Sequence, residues 1–426
     1  MYITPFYLNT FAKISFFILI FGKNTNHISM KNIFRKAALC LAGAAFIAGA
    51  VSCTSTEEKI EKELQTVMDV NKCVGLAVVV VKDNKVIYEK ALGLKDMENN
   101  VPLDLDGLFR IASISKQFTA TSLMQQIEQG KLTLDTDVSE ILGFPIRNPK
   151  YPDIPITVRM LLSHSSSMSD ANGYYTLNRL NPDSCATADQ AWNDWKPGTK
   201  YEYCNLGFNT LGAVLERVSG ERFDEYVPNH ILKPLGIYGG YNVNNLDSTK
   251  FVRIYEWQSS DSTYKWSPEA YAPRTEEIAN YQFGYSTPVF SPTGGMKISP
   301  RNLAKIMKMH MNYGKGFLEN EDGTETEVRI IDSLSAVQMQ TTTIYPSDPG
   351  DNGYGFALWQ TEQLVDGQYN IGHTGSAYGV FTSMFWNDAH NFGVVVMCNG
   401  CNEREDRGYM AIHREVNGIM YKYLNK

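Results

Sequence analysis

A serine and a lysine three residues apart, Ser113 and Lys116 in Ser-Ile-Ser-Lys, stand where coil gives way to a helix-compatible run. Residues i and i+3 of a helix share a face, so the amine can reach the hydroxyl. A serine at a helix start also lies beside free backbone N–H groups and the positive end of the helix dipole, which suits the negative charge that develops when a hydroxyl attacks a carbonyl. This is the chemistry of an acyl-transfer nucleophile beside its proton acceptor, although a capping serine next to a solvated lysine has the same spelling. The spacing recurs at Ser262 and Lys265, inside the polar stretch Gln258 to Trp266 with no apolar helix after it, and that context rejects it.

Two further clusters carry groups that acyl transfer needs. Tyr203-Cys204-Asn205 precedes a helix-compatible segment. A phenol with a reference pKa near 10 acts as a base only where lysines or backbone dipoles favour the phenolate. Asn205 can accept from a lysine while donating to a substrate carbonyl, and Cys204 between them reads as packing. His373-Thr374-Gly375-Ser376 lies among strand-like runs; Gly375 lets a substrate approach the strand edge, and Ser376 can offer a backbone N–H as a second oxyanion donor beside that of Ser113. His164, in Leu-Leu-Ser-His, reads as structural. No Gly-x-Ser-x-Gly elbow and no His-Glu-x-x-His segment occurs, so an α/β-hydrolase and a zinc peptidase find no support.

The elements that must position these groups are legible from periodicity. Ile60, Leu64 and Met68 form one apolar stripe on a helix over 57–71. Gly75 to Val81 and Lys85 to Leu92 are β-branched runs split by turn residues, a hairpin that starts an antiparallel sheet. Helices follow at Lys116 to Gln129, closed by Gly130, and Leu206 to Val218, closed by Gly220. Ser291 to Gly295 is a turn, and Ser299-Pro300 caps a helix through Leu303 to Met311. Strand signals return in Gly355 to Trp359, Thr382 to Trp386 and Gly393 to Met397, and a last helix spans 407–424. Strands at both ends around a helical middle predict an α+β fold: an antiparallel sheet flanked by terminal helices, with a helical lobe inserted over 113–285.

Composition narrows the partners. The 426 residues are 43% hydrophobic and 20% charged, which is ordinary for a globular chain. The net charge is −7, yet the first 52 residues carry five cations and no acid, which leaves −12 for the rest. A body that acidic, with no basic stripe, is a poor ligand for nucleic acid and leaves small molecules or short peptides as the expected partners.

Met30 opens a secretion-like leader: Lys31, Arg35 and Lys36, then an apolar run from Ala37 to Val51. Its end, Ala50-Val51-Ser52-Cys53, resembles the lipobox of bacterial lipoproteins, which implies lipidation at Cys53, anchoring to a membrane and a place in the cell envelope. Residues 1–29 then precede the true start, 30–53 are the signal, and the folded domain covers 57–426. Of seven cysteines, 40 and 53 belong to the leader; the other five make no disulfide framework, and Cys398-Asn-Gly-Cys401 reads as a strand-end turn.

Ser-x-x-Lys at 113, Tyr-x-Asn at 203 and His-x-Gly at 373, in that order, resemble the motifs of class C β-lactamases, D-alanyl-D-alanine carboxypeptidases and family VIII esterases. The likeness extends to phrases such as Leu108-Phe-Arg-Ile-Ala-Ser-Ile-Ser-Lys116, Thr157-Val-Arg-Met-Leu-Leu-Ser-His164 and Lys233-Pro-Leu-Gly, over about residues 57 to 426. It implies a β-lactamase/transpeptidase-like fold and a serine hydrolase working through an acyl-enzyme. In that reading Ser113 is the nucleophile, Lys116 and Tyr203 move protons, Asn205 and the His373–Ser376 strand hold substrate, and no cofactor takes part. Histidine at 373, where class C β-lactamases mostly have lysine, ranks peptide, amide or ester hydrolysis above β-lactam turnover. The alternative is a lipid-anchored protein that binds penicillins or cell-wall peptides without turnover.

Overall fold

A computed structural model describes residues 55–346 and 353–425. The expected signal and Cys53 lie outside the described residues. The chain divides into two units, Met1–Glu58 and Lys59–Lys426, and the architecture below is that of the second.

The valine runs decide the centre. Strand β1 (Gly75–Lys82) and strand β8 (Phe392–Cys398) carry almost no polar residue and are buried on both faces, so each needs a strand on either side and helices above and below. They pair antiparallel, Val79 opposite Val395. The hairpin from β1 to β2 (Lys85–Asp96) turns through Asp83 and Asn84, both at positive φ as a two-residue turn demands. With β3 (Val101–Pro102), β4 (Gly353–Tyr354), β5 (Trp359–Val365), β6 (Gln368–Ala377) and β7 (Val380–Asn387), the sheet runs β4-β5-β6-β7-β8-β1-β2-β3, antiparallel throughout.

Alternation sorts the two faces. Leu76, Val78, Val80, Val394 and Val396 meet Ile60, Leu64 and Met68 of α1 (Thr56–Asn71) and Ile412, Val416 and Met420 of α5 (Ala411–Leu424). Ala77, Val79, Val81, Val395 and Met397 face the larger core, built from α2 (Lys116–Glu128), α3 (Asn205–Ser219) and α4 (Pro300–Met311). Ser299 caps α4 by accepting from Asn302 N–H, and Gly220 ends α3 at φ +77, as read from the sequence.

Two boundaries differ from expectation. Gly355 to Leu358 is a turn between β4 and β5 rather than a strand: Ala357 takes φ +60 and Gly355 N–H bonds Leu358 O. The last helix begins at Ala411, because Arg407 and Gly408, both at positive φ, turn a two-residue hairpin ahead of it. The rejected Ser262 lies at φ +58 in the turn of another hairpin, Tyr255–Gln258 with Thr263–Trp266, with Lys265 on its second strand.

Candidate active site

Ser113 sits in a 3₁₀ turn, Ala112–Ser115, that feeds straight into α2. Ala112 enters that turn at φ +47, a left-handed conformation that costs a β-carbon about 1 kcal/mol or more. Ile111 O accepts from Thr382 Oγ1 of β7 at 3.0 Å, which holds the turn against the sheet. Lys116 is the first residue of α2 and fully buried; its Nζ donates to Ser113 Oγ at 3.1 Å, Asn205 Oδ1 at 2.9 Å and Thr293 O at 3.0 Å. Burial pulls its pKa down to about 7, against the smaller pull of Asp170 and Cys204 in the other direction. Near neutrality a good share of Lys116 is therefore the free amine, whose two N–H groups serve Asn205 Oδ1 and Thr293 O and whose lone pair accepts from the Ser113 hydroxyl.

Tyr203 comes from the loop before α3, its ring centroid 4.6 Å from Lys116 Nζ. Its hydroxyl is buried with no hydrogen-bond partner of good geometry among the described residues. Burial pushes the phenol well above its ordinary pKa; the Ser113 hydroxyl lies close enough to favour the phenolate, but more weakly. The phenol thus keeps its proton at neutral pH, and the amine is the better base of the two.

Asn205 opens α3 behind Cys204, which supplies no capping hydrogen bond. The cap comes from Asp170, a residue absent from the sequence reading: its Oδ2 accepts from Asn205 N–H and Asn205 Nδ2 at 2.8 Å each, and its Oδ1 from Leu206 N–H at 2.9 Å. The amide of Asn205 is thereby turned so that Oδ1 faces Lys116 and the Thr293 hydroxyl, 2.6 Å away. One N–H of Nδ2 is committed to Asp170. Cys204 is a packed thiol, 1% exposed, held protonated by burial and by Asp170.

Thr293 was also missed, since its turn reads only as a turn. That turn presses on α3: a β-carbon on Gly212 would stand 2.4 Å from Pro292 Cγ. Asn209 adds a hydrogen bond from Thr293 N–H at 3.4 Å. Asn209, a buried polar residue one turn after Asn205 on α3, is the signal that could have found it.

His164 packs directly behind Tyr203. Its ring centroid is 4.3 Å from that of Tyr203 and 5.0 Å from that of Phe208, and Nδ1 accepts from Cys204 N–H at 3.1 Å. Burial, then Lys116 and His373, hold its pKa well below the usual histidine range, so it is a neutral support behind Tyr203.

Strand β6 supplies the remaining wall. It pairs with β5 only as far as Gly372, so from His373 to Ala377 the edge away from β7 has no strand partner among the described residues and meets the Ala112–Ser115 turn. Gly375 makes this approach possible: a β-carbon there would lie 2.2 Å from Ile111 O and 2.5 Å from Thr382 Oγ1. Thr374 is half-buried and Ser376 exposed. His373 turns inward. Nδ1 donates to Thr374 O at 2.5 Å, and Nε2 accepts from Tyr354 Oη at 3.2 Å. Burial and the nearby Lys116 bring its pKa down to about 3, so it is neutral and brings no cation to the site.

The chain matches a family model described as Beta-lactamase over residues 60–416. Penicillin-binding protein 4 of Amycolatopsis lactamdurans is 27% identical over 320 residues, which cover 72% of this chain and 76% of that one. Further curated relatives, from Staphylococcus aureus, are longer, and the chain spans 59–63% of their length. Among solved structures, EstCE1, a hydrolase with promiscuous acyltransferase activity, superposes with TM-score 0.65 at 22% identity, covering 85% of this chain and 98% of that one. The D-amino acid amidase of Ochrobactrum anthropi SV3 superposes with TM-score 0.64 at 18% identity, covering 85% and 97%. At such identities these two likenesses speak for the fold, which is β-lactamase/transpeptidase-like.

Proposed function

Because the chain belongs to the beta-lactamase family, whose members include penicillin-binding proteins, esterases and amidases, we propose that it is a serine hydrolase that cleaves ester, amide or peptide carbonyls through an acyl-enzyme on Ser113. The carrying observation is the buried Lys116 amine, 3.1 Å from Ser113 Oγ with its pKa brought down to about 7. A neutral amine at that distance takes the serine proton as Oγ attacks. The Tyr203 phenol, still protonated, gives its proton to the leaving oxygen or nitrogen, and the phenolate regains one from the Lys116 ammonium by way of Ser113 Oγ, which lies close to both groups. Backbone N–H groups of Ser113 and Ser376 hold the oxyanion, and water then releases the acid.

His373 supports a preference among substrates. As a neutral ring tied to Tyr354 and Thr374 O, it offers no charge to a β-lactam or peptide carboxylate, which favours neutral esters and amides. The leader reading adds a lipid anchor at Cys53 in the cell envelope; loss of metabolic lipid labelling in Cys53→Ala would support it, and unchanged labelling would exclude it.

The test of the hydrolase is covalent. The protein and its Ser113→Ala variant are incubated with a fluorophosphonate and, separately, with a penicillin, and adducts are mapped by peptide mass spectrometry. Labelling at Ser113 that the variant loses is expected, with a penicillin adduct that persists. No adduct from either reagent would leave a binding protein in place of an enzyme.

A further inference from the structure

Cys398 and Cys401 close the last central strand, and acyl transfer uses neither. Cys398 ends β8 and is fully buried; Cys401, three residues on, is 1% exposed. The fold brings a third cysteine to them. Cys73 lies between α1 and β1, in a segment that runs antiparallel to 400–402: Val74 N–H bonds Gly400 O at 2.9 Å, and Asn402 N–H bonds Asn71 O at 2.9 Å, so Cys73 and Cys401 fall between two backbone bonds. The side chains of Cys73, Cys398 and Cys401 lie close enough that each shifts the others' ionisation, Cys73 and Cys401 upward and Cys398 downward. Cys398 and Cys401 belong to one apolar cluster with Ile412, Val416 and Met68, and Cys73 packs half-buried against it. Tyr264 lies close to all three sulfurs, its hydroxyl bound to Lys72 O.

Three thiols this close inside an apolar cluster have two ordinary uses, a soft metal ion or a disulfide. Among the described residues no group of three or more such side chains is disposed to hold a metal. We propose that this cluster is an oxidisable site that takes one disulfide, between Cys73 and a member of the Cys398 and Cys401 pair, while the third cysteine stays a thiol. Half-buried Cys73, the least enclosed of the three, is the entry point. Its thiolate attacks one sulfur of a small disulfide such as oxidised glutathione, and one glutathione thiolate leaves. A neighbouring cysteine thiolate then attacks the Cys73 sulfur of the mixed disulfide, the protein S–S bond forms, and the second glutathione leaves. Two protein thiols are oxidised, one glutathione disulfide is reduced, and the two thiol protons pass to the departing thiolates. The bond joins the start of β1 to the end of β8, far apart in sequence, and so restricts the unfolded chain strongly.

The experiment equilibrates the protein with reduced or with oxidised glutathione, alkylates the remaining thiols and maps tryptic peptides by mass spectrometry. Cys73 lies in the peptide 73–82, and Cys398 with Cys401 in the peptide 330–404. The oxidised sample is expected to show these two peptides joined, two fewer alkylated cysteines than the reduced sample, and a higher thermal midpoint; Cys73→Ser and Cys73→Ala should lack all three changes. Equal alkylation in both samples, or a disulfide confined to 330–404, would overturn the proposal. The wild-type comparison stands even where a variant folds poorly.

Discussion

Asp170 and Asn205, 35 residues apart, form a clamp in which one carboxylate oxygen accepts both the backbone and the side-chain N–H of the asparagine at 2.8 Å. The clamp does two jobs. It caps α3 where Cys204 cannot, and it fixes which end of the Asn205 amide faces Lys116. Replacing Asp170 by Asn turns a donor toward N–H groups that need an acceptor, a mismatch worth roughly 1–3 kcal/mol. Asp170→Asn is expected to lower the thermal midpoint and reduce kcat about tenfold or more with a smaller change in KM, since it loosens the base rather than a substrate contact. A variant that loses stability yet keeps kcat would reduce Asp170 to a helix cap.

The lysine sets the pH dependence. Its folded pKa lies near 7, below its ordinary value, so protons occupy the amine below that pH and leave it above. The acylation rate should therefore rise with pH through about 7 and fall about tenfold per unit on the acid side. No alkaline decline from Tyr203 is expected below about pH 10, because burial holds the phenol protonated. Lys116→Arg, which stays charged at every accessible pH, should be inactive throughout. Measured acylation by an activated ester from about pH 5 to 9 checks all three statements, and a flat profile would remove Lys116 as the base.

For Tyr203→Phe, stability and rate should move differently. The hydroxyl is buried without a good hydrogen-bond partner, so removing it costs the fold little or stabilises it. The same change removes the proton that the leaving group receives, worth about a hundredfold or more in rate. An unchanged melting midpoint with acylation lowered by that amount is the expected pair of results. A large drop in the midpoint would mean that the hydroxyl is structural.

What the sequence disclosed follows from the range of each interaction. Ser113 and Lys116 are joined within one turn, and the valine runs of β1 and β8 announce their own burial, so both were legible. The contacts of Asp170, Thr293 and Tyr354 depend on where two separate loops and the short strand β4 meet, and no local spacing encodes that. His164 shows the boundary between the two cases: its structural role was readable, but its place against the Tyr203 ring was not. The strand expected over Gly355 to Trp359 failed because Ala357 adopts a left-handed turn that residue type does not announce.

Gly375 tests whether the β6 edge must touch the nucleophile turn. A methyl group there would meet Ile111 O at 2.2 Å and Thr382 Oγ1 at 2.5 Å, neither of them the far end of a flexible side chain. Pairing with β7 along Ile371 to Ala377 should keep the strand in the sheet, so relief comes from moving the edge away from Ala112 to Ser115. Overpacking of this kind costs about 1–3 kcal/mol. Displacing one oxyanion donor costs on the order of a hundredfold in rate. Gly375→Ala is therefore expected to fold with a reduced midpoint and to lose fluorophosphonate labelling of Ser113 by about that factor. Gly367→Ala is the control: its φ of +73 makes an alanine strained, yet no atom lies within 4 Å of the added carbon, so it should lose stability and keep its labelling rate. Equal labelling by both variants would mean that the N–H of Ser376 does not serve the oxyanion.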